Sequence, residues 1–296
     1  MTNSGLAAYS SKLIAFYKKL TSSTQHNINL YMKIDVVKTG VQEIQPFRSL
    51  FLHEGNFQFI HNAFHQRGWS DCYFLKANDI AVGYGATCGR GNWSTERSTI
   101  FEFYMIPAYR KLASAFFPQL ISVSGVQYIE SQSNDFLLSS MLFEFGENIA
   151  ADTILFEDHV ATQYSIPSAA FRLRREDDVI FEHKVEGAGE YVLEINKEIV
   201  ATGGFLLHYN LPYSDLYMEV KEGERRKGYG AYILQELKKE SYKWGRKPAA
   251  RCNIINKVSK ATLLKCGLRV CGSGLIADIK KPAKDPNSGY AGYSIE

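Results

Sequence analysis

The densest chemistry in the chain lies between Leu216 and Trp244, LYMEVKEGERRKGYGAYILQELKKESYKW. Strand-like residues Leu216 to Val220 enter a basic turn, Arg225-Arg226-Lys227-Gly228-Tyr229-Gly230. A helix follows, in which Tyr229, Ile233, Leu237 and Trp244 share a side and Gly245 and Pro248 mark the stop. Glycine at 228 and 230 removes Cβ atoms and lets the main chain close on a ligand. The first amides of a helix have no intrahelical acceptor, and the helix dipole adds positive charge at that end. A turn of this kind suits an anion, and a pyrophosphate is the simplest one. Upstream, Asp215, Tyr217 and Glu219 alternate onto one face of the strand and bring two carboxylates beside the turn. Either can accept a proton from an attacking amine.

Spacing narrows the choice of ligand. A dinucleotide fold wants G-x-G-x-x-G early in a βαβ unit, with an acid about 20 residues further on. Here Ile233 occupies the third glycine position and the turn comes late. The G-K-[ST] of a P-loop is absent. The remaining pattern, Arg225-x-x-Gly228-x-Gly230, resembles the coenzyme A motif of the GNAT superfamily of N-acyltransferases. The neighbours match over about residues 168 to 280: a hairpin (Tyr191 to Asn196, Glu198 to His208), the strand, the turn and its helix. Then come the strand Ala249 to Ile254, Asn256, a helix ending at Lys265-Cys266-Gly267, and a final strand from Leu268.

The resemblance implies acetyl-CoA as cosubstrate, without metal. It implies coenzyme contacts at Met218, Val220, Arg225, Arg226, Lys227, Gly228, Tyr229, Gly230, Ala231, Asn256 and Ser259. The Val220 N–H would polarise the thioester carbonyl, and Asn256 would belong to the catalytic set. As base, Glu219 is favoured over Asp215 because it adjoins Val220. Many family members carry a tyrosine seven residues after the asparagine as proton donor to the thiolate, and here that position is Leu263. Ser259, Cys266, Tyr229, Tyr232 or water would substitute, or the thiolate leaves unaided, since a thiol pKa of about 8.5 tolerates this. The missing tyrosine keeps a non-catalytic acyl-CoA-binding sensor in view. A tandem enzyme acting on a thiol-containing metabolite, with the layout of mycothiol synthases, is a further alternative.

The rest of the chain sets the bounds. At 296 residues, with 45% hydrophobic and 22% charged residues, it can build one large or two ordinary domains. A net charge of +3 is too mild for a nucleic-acid partner. Five cysteines without C-x-x-C spacing read as reduced thiols in a cytoplasmic protein, and no apolar run suits a membrane. Residues 1–30 read as a helical arm. Within it Leu6, Tyr9, Leu13, Phe16, Tyr17 and Leu20 would pack on their own domain or on a second copy in a homodimer, in preference to lying on a membrane surface. Val41 to Trp69 reads as helix; His61 and His65 there are packing or surface residues, since the other ligands of a zinc motif are missing.

An internal echo organises the whole. Leu75 to Gly83 resembles Leu193 to Gly203 as a hairpin with a polar turn, and Phe103-Tyr104-Met105-Ile106 echoes Leu216-Tyr217-Met218-Glu219. Asn134 echoes Asn256 and Phe145-Gly146 echoes Cys266-Gly267. The chain therefore reads as two GNAT-like domains, 31–165 and 166–296, each an α/β (α+β) unit with a mixed, mostly antiparallel twisted sheet flanked by helices. The first has Ala113 and Ala115 where the second has Gly228 and Gly230, and Pro118 inside its first long helix, so it reads as degenerate for the coenzyme. The front of the second is short, so the first would help to cover an acceptor held between them. The acceptor would be a primary amine of a small molecule or peptide; Lys238, Lys239 and Lys243 are read as a solvated helix face.

Overall fold

The structure, a computed structural model, describes residues 32–184 and 187–281. The expected arm over 1–30 lies outside the described residues. The first half runs β1 (Ile34–Thr39), α1 (Val41–Glu54), α2 (His61–Gln66), β2 (Asp71–Ala77), β3 (Ile80–Cys88), β4 (Thr99–Met105), α3 (Ala113–Ser124), β5 (Tyr128–Gln132), α4 (Phe136–Phe145) and β6 (Gly146–Asp158). The second repeats that order without the two helices after its first strand: β7 (Ala169–Leu173), β8 (Tyr191–Ile195), β9 (Glu198–Leu206), β10 (Tyr213–Val220), α5 (Tyr229–Lys243), β11 (Lys247–Asn253), α6 (Lys257–Lys265) and β12 (Leu268–Ile279).

The echoed hairpins have the same physical cause. Asn78 and Asp79 take φ of 48° and 64°, and Asn196 and Lys197 take 50° and 67°. Two successive left-handed residues match the twist of the flanking strands, and asparagine tolerates that region. The hairpins β2–β3 and β8–β9 follow from them.

The twelve strands form one sheet in the order β1-β2-β3-β4-β5-β12-β6-β11-β10-β9-β8-β7. Each half thus gives its last strand to the other. β12 pairs with β5 of the first half, β6 pairs with β11 of the second, and the two exchanged strands lie antiparallel between them. The expected two sheets are realised as two halves of a continuous one, and all the pairings but β4–β5 and β10–β11 are antiparallel.

Two apolar cores flank the sheet. Phe47, Phe51, Tyr84, Phe103, Phe117 and Leu142 anchor the first, which also takes in Tyr209, Tyr213 and Ala249 from the second half. Phe156, Leu193, Leu216, Ile233, Leu237 and Leu268 anchor the second. The helix expected over 41–69 is broken in two. Gly55 leaves α1 in extended backbone (φ −150°), and Phe57 turns back to stack on Phe51 at 4.2 Å. Pro118, by contrast, does not end α3: the sixth of its twelve residues, it forgoes one backbone bond in a helix whose Phe116, Phe117 and Leu120 are buried.

Candidate functional site

Parallel strands β10 and β11 pair only over Tyr213–Asp215 against Lys247–Ala249 and then diverge. A notch opens beyond Asp215. The Lys221 N–H donates to Val200 O at 2.9 Å, toward β9, so the alternation of the strand turns the polar groups of Val220 and Met218 into the gap. There Val220 O accepts from Arg225 Nε at 3.2 Å. Main-chain groups of an interior strand thus stay open in the notch.

The turn above the notch is an anion nest. Arg226 (φ 67°) and Gly228 (φ 88°) are both left-handed, with Lys227 between them. Alternating handedness points successive amides into one concavity. Among the described residues the N–H groups of Arg226 to Ala231 find no backbone acceptor; the first one used is Tyr232, which donates to Gly228 O at 3.1 Å. A Cβ on Gly228 would meet nothing within 4 Å, so the space above the cap is open. At Gly230 a Cβ would fall 3.2 Å from Met218 Cε and Thr262 Cγ2, which is why glycine there lets α5 sit close to β10. Lys227 is paired with Glu224 at 2.8 Å, and Arg226 has no ion pair among the described residues. Tyr229 packs at the edge of the second core and the Ala231 side chain is buried in it, so Ala231 offers the site only its amide.

The first half has the same notch with different contents. β4 and β5 pair in parallel at Thr99, Ile100 against Tyr128, Ile129 and then separate. Arg110 Nε donates to Met105 O and Arg225 Nε to Val220 O, both five residues back. This places Met105 on Val220 and Ile100 on Asp215, two residues away from the strand match read in sequence. The turn itself is a 3-10 coil, Pro107–Leu112, running straight into α3, and no residue in it is left-handed. Its amides are consumed by that coil: Tyr109 donates to Ile106 O and Ala113 to Arg110 O. Arg110 is also tied to Glu54, which accepts from Tyr104 Oη at 2.6 Å.

The two carboxylates differ in setting. Asp215, 6% exposed, stands at the apex of the second notch with Oδ2 3.1 Å from His208 Nε2 and 3.6 Å from Arg251 Nε. Glu219 sits further out, where it accepts the Lys184 N–H (3.2 and 3.3 Å) and lies 3.7 Å from Arg225. Glu219 shares the face of Asp215 but lies four residues beyond the point where the strands part. The apex belongs to Asp215. Asn256 Oδ1 caps α6 by accepting from Ser259 N at 3.0 Å, so both residues are engaged in helix initiation. In the first half Asp135, and not Asn134, is the matching cap; it accepts from Leu138 N at 3.1 Å, while Asn134 donates to Asn56 O. Leu263 is buried in the second core.

Sequence reasoning missed His208 and Arg251. The signal for His208 was a histidine and an acid flanking a tight Asn210-Leu211-Pro212 turn; for Arg251 there was none without the strand register. Lys238 departs from the expected solvated face. It is buried, donating to Val160 O (2.8 Å) and Cys266 O (2.9 Å) beside Asp158 (2.5 Å), whereas Lys239 and Lys243 do lie outside, paired with Glu236 and Glu240.

His61 and His65 are packing residues around Glu102. Burial pushes the Glu102 carboxyl up, but Arg48 and His65 outweigh it and hold the acid well below its usual range. Arg48 reaches Glu102 at 3.1 Å and Asn210 at 2.8 Å, His65 Nε2 lies 3.0 Å away, and Tyr84 donates at 2.8 Å. Burial lowers the pKa of His61 to about 3, so it is neutral. At the seam Glu157 on β6 accepts from Tyr213 (3.1 Å), Lys247 (2.5 Å) and Arg269 (2.6 Å), which fastens four strands together. Among the described residues no set of His, Cys, Asp and Glu is arranged for a metal, and no helix is long and apolar enough to cross a membrane. A cavity of about 520 Å³ occupies the first notch, walled by Phe51, Phe57, Phe103, Tyr104 and Phe136. Another of about 240 Å³ lies at the seam.

No family model matches the sequence, and no curated protein matches it. Solved structures do resemble it in fold. An acetyltransferase of the GNAT family from Colwellia psychrerythraea has a TM-score of 0.63 at 12% identity, covering 84% of this chain and 100% of its own. A tandem GNAT protein from the clavulanic acid biosynthesis pathway, solved without AcCoA, has a TM-score of 0.52 at 8% identity, with coverages of 84% and 100%. A Drosophila protein has a TM-score of 0.51 at 14% identity, with 83% and 98%. With its splayed parallel strands, hairpins and helix order, the chain has the fold of the GNAT acetyltransferases.

Proposed function

We propose that the protein transfers an acetyl group from acetyl-CoA to an amine and that the second half holds the coenzyme. The observation that carries this reading is the row of open amides from Arg226 to Ala231 above a notch whose apex bears Asp215. Those amides, with the start of α5 and Arg226, would hold a pyrophosphate. The backbone of Met218 and Val220 would run alongside the thiol arm as an added strand does. Ile254, Ile255 and Val258, 48%, 81% and 77% exposed across the notch, would be covered by it.

A thioester supplies the electrophilic carbonyl. Val220 N–H, fixed by its strand, donates to the oxygen as negative charge develops there. Asp215 accepts the amine proton, directly or through His208 at 3.1 Å, and so displaces Glu219 as the base. In the first half the apex residue is Ile100, which has no proton chemistry, and the turn is a 3-10 coil without a left-handed residue.

The buried Leu263 leaves no acid at the usual place and is the one observation that favours a non-catalytic coenzyme sensor. Calorimetric titration with acetyl-CoA, paired with turnover on a panel of amines and peptides, decides between the readings. One site per chain is expected, and Gly228→Pro, which loses an amide and cannot reach φ 88°, should weaken binding about 100-fold. Two sites, or unchanged affinity in Gly228→Pro, refute the assignment; tight binding with no turnover on any acceptor establishes the sensor.

A further inference from the structure

The cavity of about 240 Å³ at the seam lies on the sheet face that carries Asp215. Its floor is the middle of the sheet, with Glu130 on β5, Gly274 on β12, Asp152 on β6 and Arg251 on β11. Its roof comes wholly from the first half, with Phe59, Phe64, Arg90 and Trp93. Arg251 joins the cavity to the apex, since its Nε is 3.6 Å from Asp215 Oδ2. The pocket is therefore built by both halves and opens beside the group that receives the proton.

Its charged residues follow the strand order away from that apex: Arg251 on β11, Asp152 on β6 and, beyond β12, Glu130 on β5. In the aromatic roof Trp93 is 45% exposed and meets Phe64 edge-on at 5.7 Å. Among the described residues neither acid forms an ion pair, and the Asp152 carboxylate accepts from Thr153 Oγ1 at 2.8 Å. Burial, then the neighbouring Asp152 charge, push Glu130 up to about 7, although Arg251 and Arg90 oppose them. Arg90 is drawn aside over the Tyr128 ring, 4.5 Å from its centroid. The far end of the cavity therefore carries two acids against the single guanidinium of Arg90, and the near end carries Arg251 beside Asp215.

An acceptor that answers all of these groups has an amine and a carboxylate at one end, methylenes in the middle and a positive charge at the other end. We propose that the seam cavity is the acceptor site and that it takes a basic α-amino acid. The α-amine lies at Asp215, the carboxylate at Arg251, the side-chain methylenes under Trp93 and Phe64, and the terminal cation between Glu130 and Asp152. The assignment rests on the second notch being the coenzyme site. In the transfer the amine nitrogen forms a bond to the acetyl carbon and the carbon–sulfur bond breaks. The electron pair of that bond leaves with the thiolate, and the amine proton passes to Asp215. No further reactant is required.

The test compares acetyl-CoA turnover on L-arginine, on L-norleucine, which lacks the terminal cation, and on agmatine, which lacks the carboxylate. In wild type kcat/KM for arginine should exceed both by about tenfold or more, the effect of losing one charge-paired contact. The Glu130→Gln/Asp152→Asn double variant should erase the arginine-over-norleucine preference, with the acetyl-CoA Kd unchanged. Independently of turnover, L-arginine should change the tryptophan fluorescence of wild type but not of Trp93→Phe or the double variant. Equal rates on arginine and norleucine, or on arginine and agmatine, overturn the inference, as does an arginine titration that leaves fluorescence flat. If acetyl-CoA fails to bind while the fluorescence response persists, the coenzyme reading falls and the amino-acid site stands.

Discussion

The two notches of this molecule were built from the same plan and differ in what they can hold. The first has the volume, about 520 Å³ lined with aromatic rings, and the second has the chemistry. In the first, a 3-10 coil from Pro107 to Leu112 consumes its own amides, Arg110 is locked to Glu54, and the apex is Ile100. In the second, two left-handed residues leave the amides open and the apex is a carboxylate with a histidine beside it. A large pocket is a sound default for a binding site. Here the default and the proposed site fall in different halves, because grip on a diphosphate depends on the direction of N–H groups rather than on empty space.

The sharpest way to break this contrast is to remove the apex acid. Asp215→Asn should lower kcat by about 10²- to 10⁴-fold while leaving acetyl-CoA affinity in place, as expected for loss of a general base. Stopped assays at several pH values and a parallel calorimetric Kd would check it, and a full rate in Asp215→Asn would sink the apex assignment. A smaller effect separates the two carboxylates. Glu219 binds the Lys184 amide away from the apex, so Glu219→Gln should change kcat by less than about threefold. A loss as large as that of Asp215→Asn would restore Glu219 as the base. The smallest effect concerns the seam. Glu130 has a folded pKa of about 7 against an ordinary 4.5, so the folded state holds its proton more tightly than the unfolded chain. Its contribution to stability is therefore complete below about pH 4.5 and is lost as pH rises through 7. Melting curves of wild type relative to Glu130→Gln should fall by a few degrees across that window, with Asp152, Arg251 and Arg90 as the charges that set its width. Parallel curves would show that Glu130 titrates normally.

Much of this was legible in the chain. Asn78-Asp79 and Asn196-Lys197 announce the hairpins because few side chains accept two left-handed residues in a row. Gly228 announces the nest for the same reason and Gly230 the close approach of α5 to β10, whereas the left-handed Arg226 gave no such signal. The failure of the first turn could be read from Ala113, although the 3-10 coil that uses up its amides could not. The choice between Asp215 and Glu219 was out of reach, since alternation gives a face of a strand but not where the neighbouring strand departs from it. Lys238 was misread because its carbonyl partners, Val160 and Cys266, come from distant turns. His61, His65 and Glu102 showed no sequence spacing that joins them; packing of α2 on β4 does so.

The exchange of β6 and β12 has a consequence for how the protein is made. Ser273 N–H donates to Ser133 Oγ across 140 positions, and β5, paired with β4 on one side, finds its other partner only in residues 268–279. On the ribosome the nascent first half must therefore wait, with one edge of β5 bare, until residues 268–279 have emerged. Long-range closure of this kind slows folding, and a naked edge invites pairing with other chains. A stop codon anywhere before the last strand would leave both halves unfinished at once.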